Sequence, residues 1–465
     1  MLSTRFRLKH APFAQPTLLT LAIALSALSP AAHATDAATL QALQQQIDSL
    51  RQDYETRLQA LEARLTEAQA QAQAPTPPAV TASTATTGNR FNPSVSVILS
   101  GTYASLQRSP DTWSLGGFQL GEDDHGVGPG KRGFSLGESE ISLRASVDPW
   151  VTGALTLGIE DDHGVGVEEA FVQSTALPYG LTLKGGRFFS SLGYQNEQHA
   201  HARDFVDAPY VHQAFLNGQY TQDGAQLQWL LPTDHYMALG AEVGNGRAYP
   251  GAERDSNAPG SVVLFARTGG DIGDSHSWRL GLSWLRTKAE DRLWGGAGHD
   301  HESDEHADET RSFSGTSRLW VVDGVWKWSP NGNASSTSFK LQGEYFQRTE
   351  DGNATLVEGD VTEEGAYRSS QSGWYVQGVY QFMPRWRIGL RHDQLDSGTV
   401  RTSVDELTGD AHRPRRHSVM LDWSPSEFQR WRLQLNDDRA RPGVKDTQLY
   451  LQYQMSLGAH GAHSF

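Results

Sequence analysis

Histidine and acidic side chains are concentrated in one short segment of the chain, between His299 and Glu309. Imidazole nitrogens and carboxylate oxygens at this density can supply three or four ligands to zinc or a similar ion, and a flexible segment can close around it. The alternative is a solvated acidic segment that binds metal weakly, without a defined site. We therefore predict that no cofactor is required and that zinc is the candidate ion. The candidate ligands are His299, Asp300, His301, Glu302, Glu305 and His306.

A second group of candidates consists of basic residues that alternate with apolar ones. Arg279, for example, lies between Trp278 and Leu280. In a strand, such alternation places the basic side chains on the face opposite the apolar ones. Lining a channel, they would favour anions, unless they pair with carboxylates of the same face. The candidate lining residues are Arg279, Lys340, Arg387, Arg391, Arg430 and Arg432.

The first 34 residues are typical of a cleaved secretory signal peptide. Three basic residues within the first nine positions precede an apolar run from Leu18 to Leu28, and Ala32-His33-Ala34 matches a small-x-small cleavage site. The apolar run is shorter than the roughly 20 residues of a membrane-spanning helix. The chain has no cysteine, which excludes disulfides and thiolate metal sites. Its net charge of −15 becomes −18 without the three basic leader residues, which argues against nucleic acid as a partner.

Residues 35–70 are predicted to form a short coiled coil, and residues 71–90, rich in Ala, Pro and Thr, a linker. The apolar positions of the helix follow spacings of 3, 4, 3, 4, 4, 3 and 4 residues, which is a coiled-coil seam with one stutter. A lone solvated helix is the alternative. The seam residues are Leu40, Leu43, Ile47, Leu50, Tyr54, Leu58, Leu61 and Leu65.

Residues 91–465 are predicted to form an antiparallel outer-membrane β-barrel. Polar and apolar residues alternate, as in Leu449 to Leu457, but a soluble sandwich would show the same pattern. The connections distinguish the two, because short turns alternate with long polar stretches and aromatic residues such as Trp150 and Tyr179 cluster at the turns. Seven short turns with both termini in the periplasm imply about sixteen strands. The turns are Asp148-Pro149, Leu177–Gly180, Pro232–Asp234, Gly270–Gly273, Ser329–Gly332, Met383–Arg385 and Ser424–Ser426.

Two stretches carry a resemblance to known families. Leu183–Phe189, followed by Leu192-Gly193-Tyr194 and Asp204-Phe205, resembles the strand-to-loop passage of the phosphate-selective porin O and P superfamily. From Phe91 through the Leu457–His463 ending, the chain is similar to a proteobacterial group labelled zinc-regulated outer-membrane receptors. The receptor label implies a TonB-dependent transporter with a globular plug inside about 22 strands. Residues 35–90 are too short and too polar to be a plug, which disfavours that mechanism.

The third long loop, from about Phe189 to Gln222, follows the fifth predicted strand. By analogy with porins of this size, it is predicted to fold inward and narrow the pore, the alternative being a loop that lies outside the barrel. The candidate constriction residues are His199, His201, Arg203, Asp204, Asp207 and His212.

The sequence thus predicts an all-β transmembrane fold, about sixteen antiparallel strands preceded by a short periplasmic α-helical coiled coil. The predicted protein is not an enzyme but an outer-membrane porin-type channel for passive solute uptake, which concentrates divalent metal at its external loops. The alternatives are an anion-selective, phosphate-like porin, a TonB-dependent metal receptor or an outer-membrane enzyme; for the last, no spacing of Ser and His singles out a catalytic set. The expected partners are outer-membrane lipid, small ions or solutes, the barrel assembly machinery and two further copies in a homotrimer.

Overall fold

A computed structural model describes residues 93–121, 127–160, 164–295, 309–404, 407 and 411–458. The chain divides into two compact units, Met1–Ala85 and Thr86–Phe465, and every described residue belongs to the second. The predicted signal peptide, coiled coil and linker lie outside the described residues. Within the described part of the chain, no helix is both long and apolar enough to span a membrane.

The described residues are mostly β-strand. One α-helix, α1, spans Tyr210–Leu216, and single 3-10 turns occupy Pro110–Thr112, Pro178–Gly180, Gln195–Glu197, Ala200–Ala202 and Pro330–Gly332. The strands are β1 Ser94–Leu106, β2 Leu120–Gly121, β3 Gly133–Leu136, β4 Ser139–Ser146, β5 Val151–Glu160, β6 Gly164–Ser174, β7 Leu181–Phe189, β8 Thr221–Leu230, β9 Tyr236–Gly244, β10 Ser261–Ile272, β11 His276–Gly295, β12 Glu309–Trp328, β13 Ser338–Glu358, β14 Val361–Met383, β15 Trp386–Thr402, β16 Arg415–Ser426, β17 Gln429–Arg439 and β18 Asp446–Gly458.

These strands close into one antiparallel barrel of sixteen strands. Each strand from β4 to β18 pairs with the next, and β18 returns to pair with β1 from Ser96↔Gly458 to Leu106↔Gln448. β3 and β4 both pair with β1, at Gly101↔Leu136 and Ser94↔Arg144, so together they form the second barrel strand. β2 pairs only with the end of β11 and belongs to the first loop. The predicted strand number is confirmed, and a single closed sheet replaces the two stacked sheets of a sandwich.

Seven short connections lie on one rim, as the turn residues predicted. Two of them are displaced by a few residues, because β10 continues through Ile272 and β16 through Ser426. The turn at 329–332 uses the left-handed backbone at Asn331 (φ 50°) and Gly332 (φ 72°), a conformation that asparagine and glycine adopt readily. The short connections are residues 147–150, 175–180, 231–235, 273–275, 329–337, 384–385 and 427–428.

The opposite rim differs from the sequence prediction in one respect. Only Gly359 and Asp360 connect β13 to β14, and residues 161–163 connect β5 to β6. The long polar connection expected between the turns at 329–332 and 383–385 is instead paired residue by residue from Glu358↔Val361 onward, as a hairpin that extends both strands. Polar residues in an antiparallel hairpin still satisfy their backbone hydrogen bonds, so polarity alone did not identify a loop there.

The barrel is inverted relative to a soluble protein, since its apolar side chains face outward. In β17, Trp431, Leu433 and Leu435 are exposed, while Arg432 and Gln434 between them are buried. In β11, Leu280 is 52% exposed and its neighbour Arg279 only 7%. A continuous exposed apolar surface on paired strands is the lipid-facing band of an outer-membrane barrel. Exposed Trp150, Tyr179 and Phe428 lie at the short turns, where an interfacial aromatic girdle is expected.

Candidate functional site in the barrel lumen

The third loop, residues 190–220 between β7 and β8, lies inside the barrel. His201 Nδ1 is 2.6 Å from Glu140 Oε1 on β4, and the Tyr194 backbone N–H donates to Glu344 Oε1 on β13, 2.5 Å away. These two strands are seven apart around the barrel of sixteen, so the loop contacts nearly opposite walls. All seven residues of α1 are buried. The loop therefore crosses the lumen instead of extending outward from the rim.

Glu242 of β9 holds the two ends of this loop together. Its carboxylate accepts hydrogen bonds from Ser190 Oγ (2.6 Å), the Ser191 backbone N–H (2.8 Å), Gln222 Nε2 (2.5 Å) and Gln226 Nε2 (2.8 Å). The side chain is fully buried. A buried carboxylate is tolerated where hydrogen bonds replace its hydration, and here those bonds fix where the chain enters and leaves the lumen.

Glu344 of β13 performs the same role in the middle of the loop. It accepts from the backbone N–H groups of Tyr194 and Gln195, the latter at 3.1 Å, and its other oxygen lies 2.6 Å from His212 Nε2. His212, a predicted constriction residue, is on α1 and is fully buried. The contact therefore fixes α1 against the wall and places this imidazole beyond the reach of solvent.

Asp207 anchors the loop to the strands of the basic wall, β13–β17. Its oxygens accept from Arg391 Nη2 (2.5 Å), Arg416 Nη1 (2.7 Å), Gln434 Nε2 (2.8 Å) and Asn436 Nδ2 (2.9 Å). Burial acts to raise the pKa of the Asp207 carboxyl, but the two guanidinium groups outweigh it and hold this pKa well below its usual range. Asp207 is therefore an anion at all ordinary pH values.

Asp204, three residues before Asp207, makes a similar set of contacts. It pairs with Lys340 Nζ and with Arg387 Nη1 at 3.1 Å, and it accepts from Gln377 Nε2 at 3.2 Å. Burial acts to raise the pKa of the Asp204 carboxyl, and the nearby cations lower it further than burial raises it. Between Asp204 and Asp207, Phe205 packs its ring 4.6 Å below the Arg391 guanidinium.

The remaining basic candidates also face the lumen and contact partners there. Arg430 donates to Asp422 Oδ2 (2.8 Å) and to the Arg203 carbonyl (3.1 Å). Arg432 donates to Gln452 Oε1 (3.0 Å) and to the same carbonyl (2.7 Å). Arg279 Nη2 lies 3.7 Å from an oxygen of Asp323. The basic side chains proposed as pore lining thus hold the third loop in place, and most of them pair with carboxylates.

Across the lumen, a cluster of two histidines and three glutamates joins the loop to β4 and β6; we refer to it as the His–Glu cluster. His199 Nδ1 lies 3.0 Å from Glu168 Oε2 and 3.2 Å from Glu140 Oε2, and His199 Nε2 lies 3.1 Å from Glu169 Oε2. His201 contacts the second oxygen of Glu140. One ligand atom each from Glu140, Glu168 and His199 lies within 4.8 Å of the others. In the described chain this group has the donor set and spacing of a metal site.

A β-bulge produces this cluster. β5 and β6 pair Thr156 with Glu169 and then Leu157 with Val167, so Glu168 has no partner opposite it. Because of this extra residue, the side chains of Glu168 and Glu169 both point into the barrel, although consecutive residues of a regular strand point to opposite faces. Gly158 on β5 leaves room for one of them, since a Cβ there would lie 2.3 Å from Glu168 Oε1.

The three carboxylates determine the protonation of His199. Burial acts to lower the pKa of its imidazole, but hydrogen bonds to Glu140, Glu168 and Glu169 together raise that pKa well above its usual value. Without a metal ion, His199 is therefore a cation at neutral pH that compensates part of the cluster's negative charge.

Apolar residues of β13 and of the first loop, which connects β1 to β3, pack against α1. Phe215 of α1 stacks on Phe346 of β13, with ring centroids 5.9 Å apart, and meets Phe118 of the first loop edge-on at 5.7 Å. Trp113 and Leu115 of the first loop belong to the same buried cluster. Phe346 sits on the lumen face of β13, so this part of the barrel interior is packed like a protein core.

Partly accessible side chains lie on both walls of the lumen, since Lys340 and Arg387 of the basic wall keep 21% and 29% of their side-chain surface exposed. On β13–β17 the inward side chains under the loop, such as Gln342, Asp393 and Gln434, are buried. On β4–β8, the inward side chains of Ser142 and Lys184 remain half-buried. The accessible part of the lumen therefore borders both walls, and the β4–β8 wall also carries the His–Glu cluster.

Sequence reasoning found the loop but missed several residues that fix it. Glu242 is the single carboxylate of the otherwise apolar strand β9, a signal that the sequence contained, and Glu140 is the single carboxylate of β4. Glu168 and Glu169 break the alternation of β6 as adjacent acids, which is the sequence mark of the bulge. Arg416 was missed because it follows another arginine, and the sequence did not distinguish the outward-facing Arg415 from the buried Arg416. The predicted metal ligands His299, Asp300, His301, Glu302, Glu305 and His306 lie outside the described residues.

No family model matches the chain. An uncharacterized protein of Aquifex aeolicus is 31% identical to it over 363 residues, which cover 74% of this chain and 73% of that protein. The chain belongs to the same family as this Aquifex protein. This relationship extends over most of both chains but carries no assigned activity.

Solved outer-membrane proteins are similar at a lower level. The trimer form of OmpT from Vibrio cholerae is 11% identical, covers 79% of this chain and all of its own, and has a TM-score of 0.49. OprB of Pseudomonas putida is 11% identical, with coverages of 79% and 94% and a TM-score of 0.45. An anion-selective porin from Comamonas acidovorans is 12% identical, with coverages of 78% and 99% and a TM-score of 0.43. At these values the strand pairing of the chain itself remains the evidence for its architecture.

Proposed function

We propose that the protein is an outer-membrane channel for the passive passage of small hydrophilic solutes. The observation that carries the proposal is the third loop, which is held inside a polar-lined barrel by Glu242, Glu344 and Asp207. Stability of a barrel does not require a polar loop anchored across its lumen. A channel, in contrast, uses such a loop to set the bore and to present fixed side chains to a solute.

The route we infer passes through the part of the lumen that the third loop leaves open. Inward Ser142 and Lys184 on one wall, and Lys340 and Arg387 on the other, keep part of their surface accessible, whereas the side chains directly under the loop are buried. Half-buried polar side chains beside a packed loop are what a narrow water-filled passage would leave.

Conductance in planar bilayers tests this proposal. The purified barrel should insert with stepwise conductance, and Glu344→Gln, which weakens the hold on Tyr194 and His212, should increase the step size or its noise. Asp351→Asn, at an exposed ion pair with Arg368, is the matched control and should leave the step unchanged. A barrel that inserts but conducts no ions, alone and after the Glu344 change, would contradict the proposal.

Anion selectivity is a second candidate function, favoured by Arg432. The hydrogen bonds of its guanidinium go to two neutral oxygens, and its Nε is buried without a hydrogen-bond partner. Its charge is therefore less compensated than those of Arg391 and Arg416, which share Asp207 and Asp393. Replacing Arg432 by Gln should shift the reversal potential in a salt gradient away from anions, and an unchanged potential would remove this candidate.

We also propose that the fifth long loop, which contains residues 299–309, captures zinc through His299, His301 and His306. The proposal rests on the donor density of that segment in the sequence. Isothermal titration with zinc should show sites that disappear in the triple H299A/H301A/H306A variant. Zinc binding that is equal in parent and triple variant would assign the loop to a solvated acidic surface.

The proposed assembly is a homotrimer in the outer membrane, with residues 35–70 as a three-helix coiled coil in the periplasm. Its basis is the apolar seam from Leu40 to Leu65, which an isolated helix would expose to water. Cross-linking after extraction in mild detergent should yield trimers, and deletion of residues 35–70 should reduce their yield. Monomers alone, from the full chain, would contradict it.

A further inference from the structure

We infer that Glu140, Glu168 and His199 form a binding site for one divalent transition-metal ion of the zinc class inside the barrel. This site is separate in sequence from the fifth loop, and binding there does not depend on whether the barrel conducts solutes. The metal would meet one imidazole nitrogen and two carboxylate oxygens, a mixed donor set that suits zinc better than calcium or magnesium.

The distances fit such an ion. Nitrogen and oxygen ligands bind zinc at about 2.0–2.2 Å in a tetrahedral arrangement, which separates the ligand atoms by about 3.3–3.5 Å. His199 Nδ1 already lies 3.0 Å and 3.2 Å from the nearest oxygens of Glu168 and Glu140, and the three ligand atoms are all within 4.8 Å of one another. Shifts of a few tenths of an ångström to about one ångström would complete three positions, leaving the fourth for water or a solute.

Neighbouring residues orient these ligands in the manner of known zinc sites. A metal-bound histidine usually donates its other ring N–H to a carboxylate, which fixes the tautomer and the ring orientation. His199 Nε2 lies 3.1 Å from Glu169 Oε2, so Glu169 would leave Nδ1 free for the metal. Phe189 donates its backbone N–H to the other oxygen of Glu169 at 3.2 Å, which fixes that carboxylate in turn.

Electrostatics favours a cation at this place. Glu140 and Glu169 are buried and Glu168 is half-buried, so three carboxylates meet in a region with little water. Their nearest partners are imidazoles, each of which supplies at most one positive charge and only when protonated. A divalent ion that displaces the proton of His199 would compensate the carboxylates more fully.

The fold builds this arrangement at some cost. The bulge interrupts pairing at Glu168, and Gly158 provides space for the Glu168 carboxylate, which a larger residue at 158 would displace. Bulges commonly re-aim side chains at functional sites. A regular strand would have sent Glu168 into lipid, so the irregularity is what brings a third carboxylate to the lumen.

The test uses the full-length protein with H299A/H301A/H306A as background, which removes the fifth-loop histidines. Titration with zinc should show one site per barrel. Glu168→Gln and His199→Asn should each weaken it at least about 100-fold, whereas Glu169→Gln should weaken it by about 10- to 100-fold, the usual effect of losing an orienting partner. His392→Asn, which disrupts an exposed histidine pair with a 3.1 Å Nδ1 to Nδ1 distance, is the control and should leave the site intact.

Cobalt absorption provides a second readout that does not depend on the variants. Co²⁺ bound to the background protein should give the intense visible bands of four-coordinate geometry and lose them on addition of zinc. Heat-modifiable migration in detergent gels checks that each variant is folded. Absence of a zinc site in the background protein, or a site equally tight in Glu168→Gln and His199→Asn, would overturn the inference; loss of the site in His392→Asn would assign it to the exposed pair instead.

Discussion

Replacing Asp207 by Asn should release the third loop from the basic wall while leaving the barrel closed. Asp207 pairs with Arg391 at 2.5 Å and Arg416 at 2.7 Å, and all three side chains are nearly buried. Removing one partner of a buried ion pair typically costs about 3–5 kcal/mol, because the other charge remains buried and uncompensated. Asp393 still pairs with both arginines, and the single amide oxygen of Asn can accept from either Gln434 or Asn436, so we expect the lower end, about 3 kcal/mol.

This cost falls on loop docking, since the sixteen strands are joined by their own backbone hydrogen bonds. About 3 kcal/mol corresponds to an increase of roughly 100-fold in the population of the undocked loop. Hydrogen exchange followed by mass spectrometry should therefore show faster exchange in α1 by about that factor, with strand peptides unchanged. The control Asp351→Asn breaks an exposed pair worth at most about 1 kcal/mol and should leave α1 protected. Equal exchange of α1 in the two variants would refute the anchoring role of Asp207.

Three further outcomes follow from the same contacts. The pKa values of Asp204 and Asp207 are held below those of an unfolded chain, so their contribution to loop docking is complete above about pH 4 and is lost only as the pH falls through the lowered values. Protection of α1 from hydrogen exchange should therefore be equal at pH 7 and pH 4.5. Release of α1 at pH 5 would contradict this. In urea titration, Gly186→Ala should destabilise the barrel by roughly 1–3 kcal/mol, because Gly186 has φ 129° and a Cβ there would lie 2.2 Å from the Ala170 carbonyl oxygen. Gly166→Ala, which has open space around it, is the control and should be close to neutral in the same titration. Gly158→Ala should displace Glu168 and weaken zinc binding in the background that lacks the fifth-loop histidines, with the barrel still folded by gel migration; unchanged affinity would show that Gly158 is not required for the site.

The fold could be predicted because it depends on local patterns. Alternation assigned the faces of strands such as β17, and Pro, Gly and Asn residues marked the short turns within a few positions. The long hairpin of β13 and β14 was missed as strand because its outer half is polar on both faces, and strand pairing there comes from backbone bonds that leave no trace in hydrophobicity.

The candidate site was harder to predict from the sequence, because its residues are far apart along the chain and because a bulge changes the strand register. Glu140 and His199 contact each other across 59 positions of the chain, and Glu344 and His212 across 132. Single-sequence patterns report on neighbours, so such pairings appear only when the barrel closes. The bulge at Glu168 shifts the inward set of β6 by one residue, and simple parity then assigns one of its acids to the wrong face.

The loop also changes what the lumen charges can do. Counted along the strands, the inward basic residues predict an electropositive channel. Asp204 and Asp207 of the loop, however, pair with one lysine and three arginines of that wall, namely Lys340, Arg387, Arg391 and Arg416. A charge buried under a docked loop attracts mobile ions far less than one at the edge of water, because its partners already satisfy it. The partly accessible side chains include Lys184, Lys340 and Arg387, and the His–Glu cluster adds carboxylates whose net charge changes with the protons or metal bound to it. Selectivity should therefore depend less on the number of arginines than on the occupancy of that cluster, and measuring the reversal potential with and without zinc in the background variant separates these two contributions.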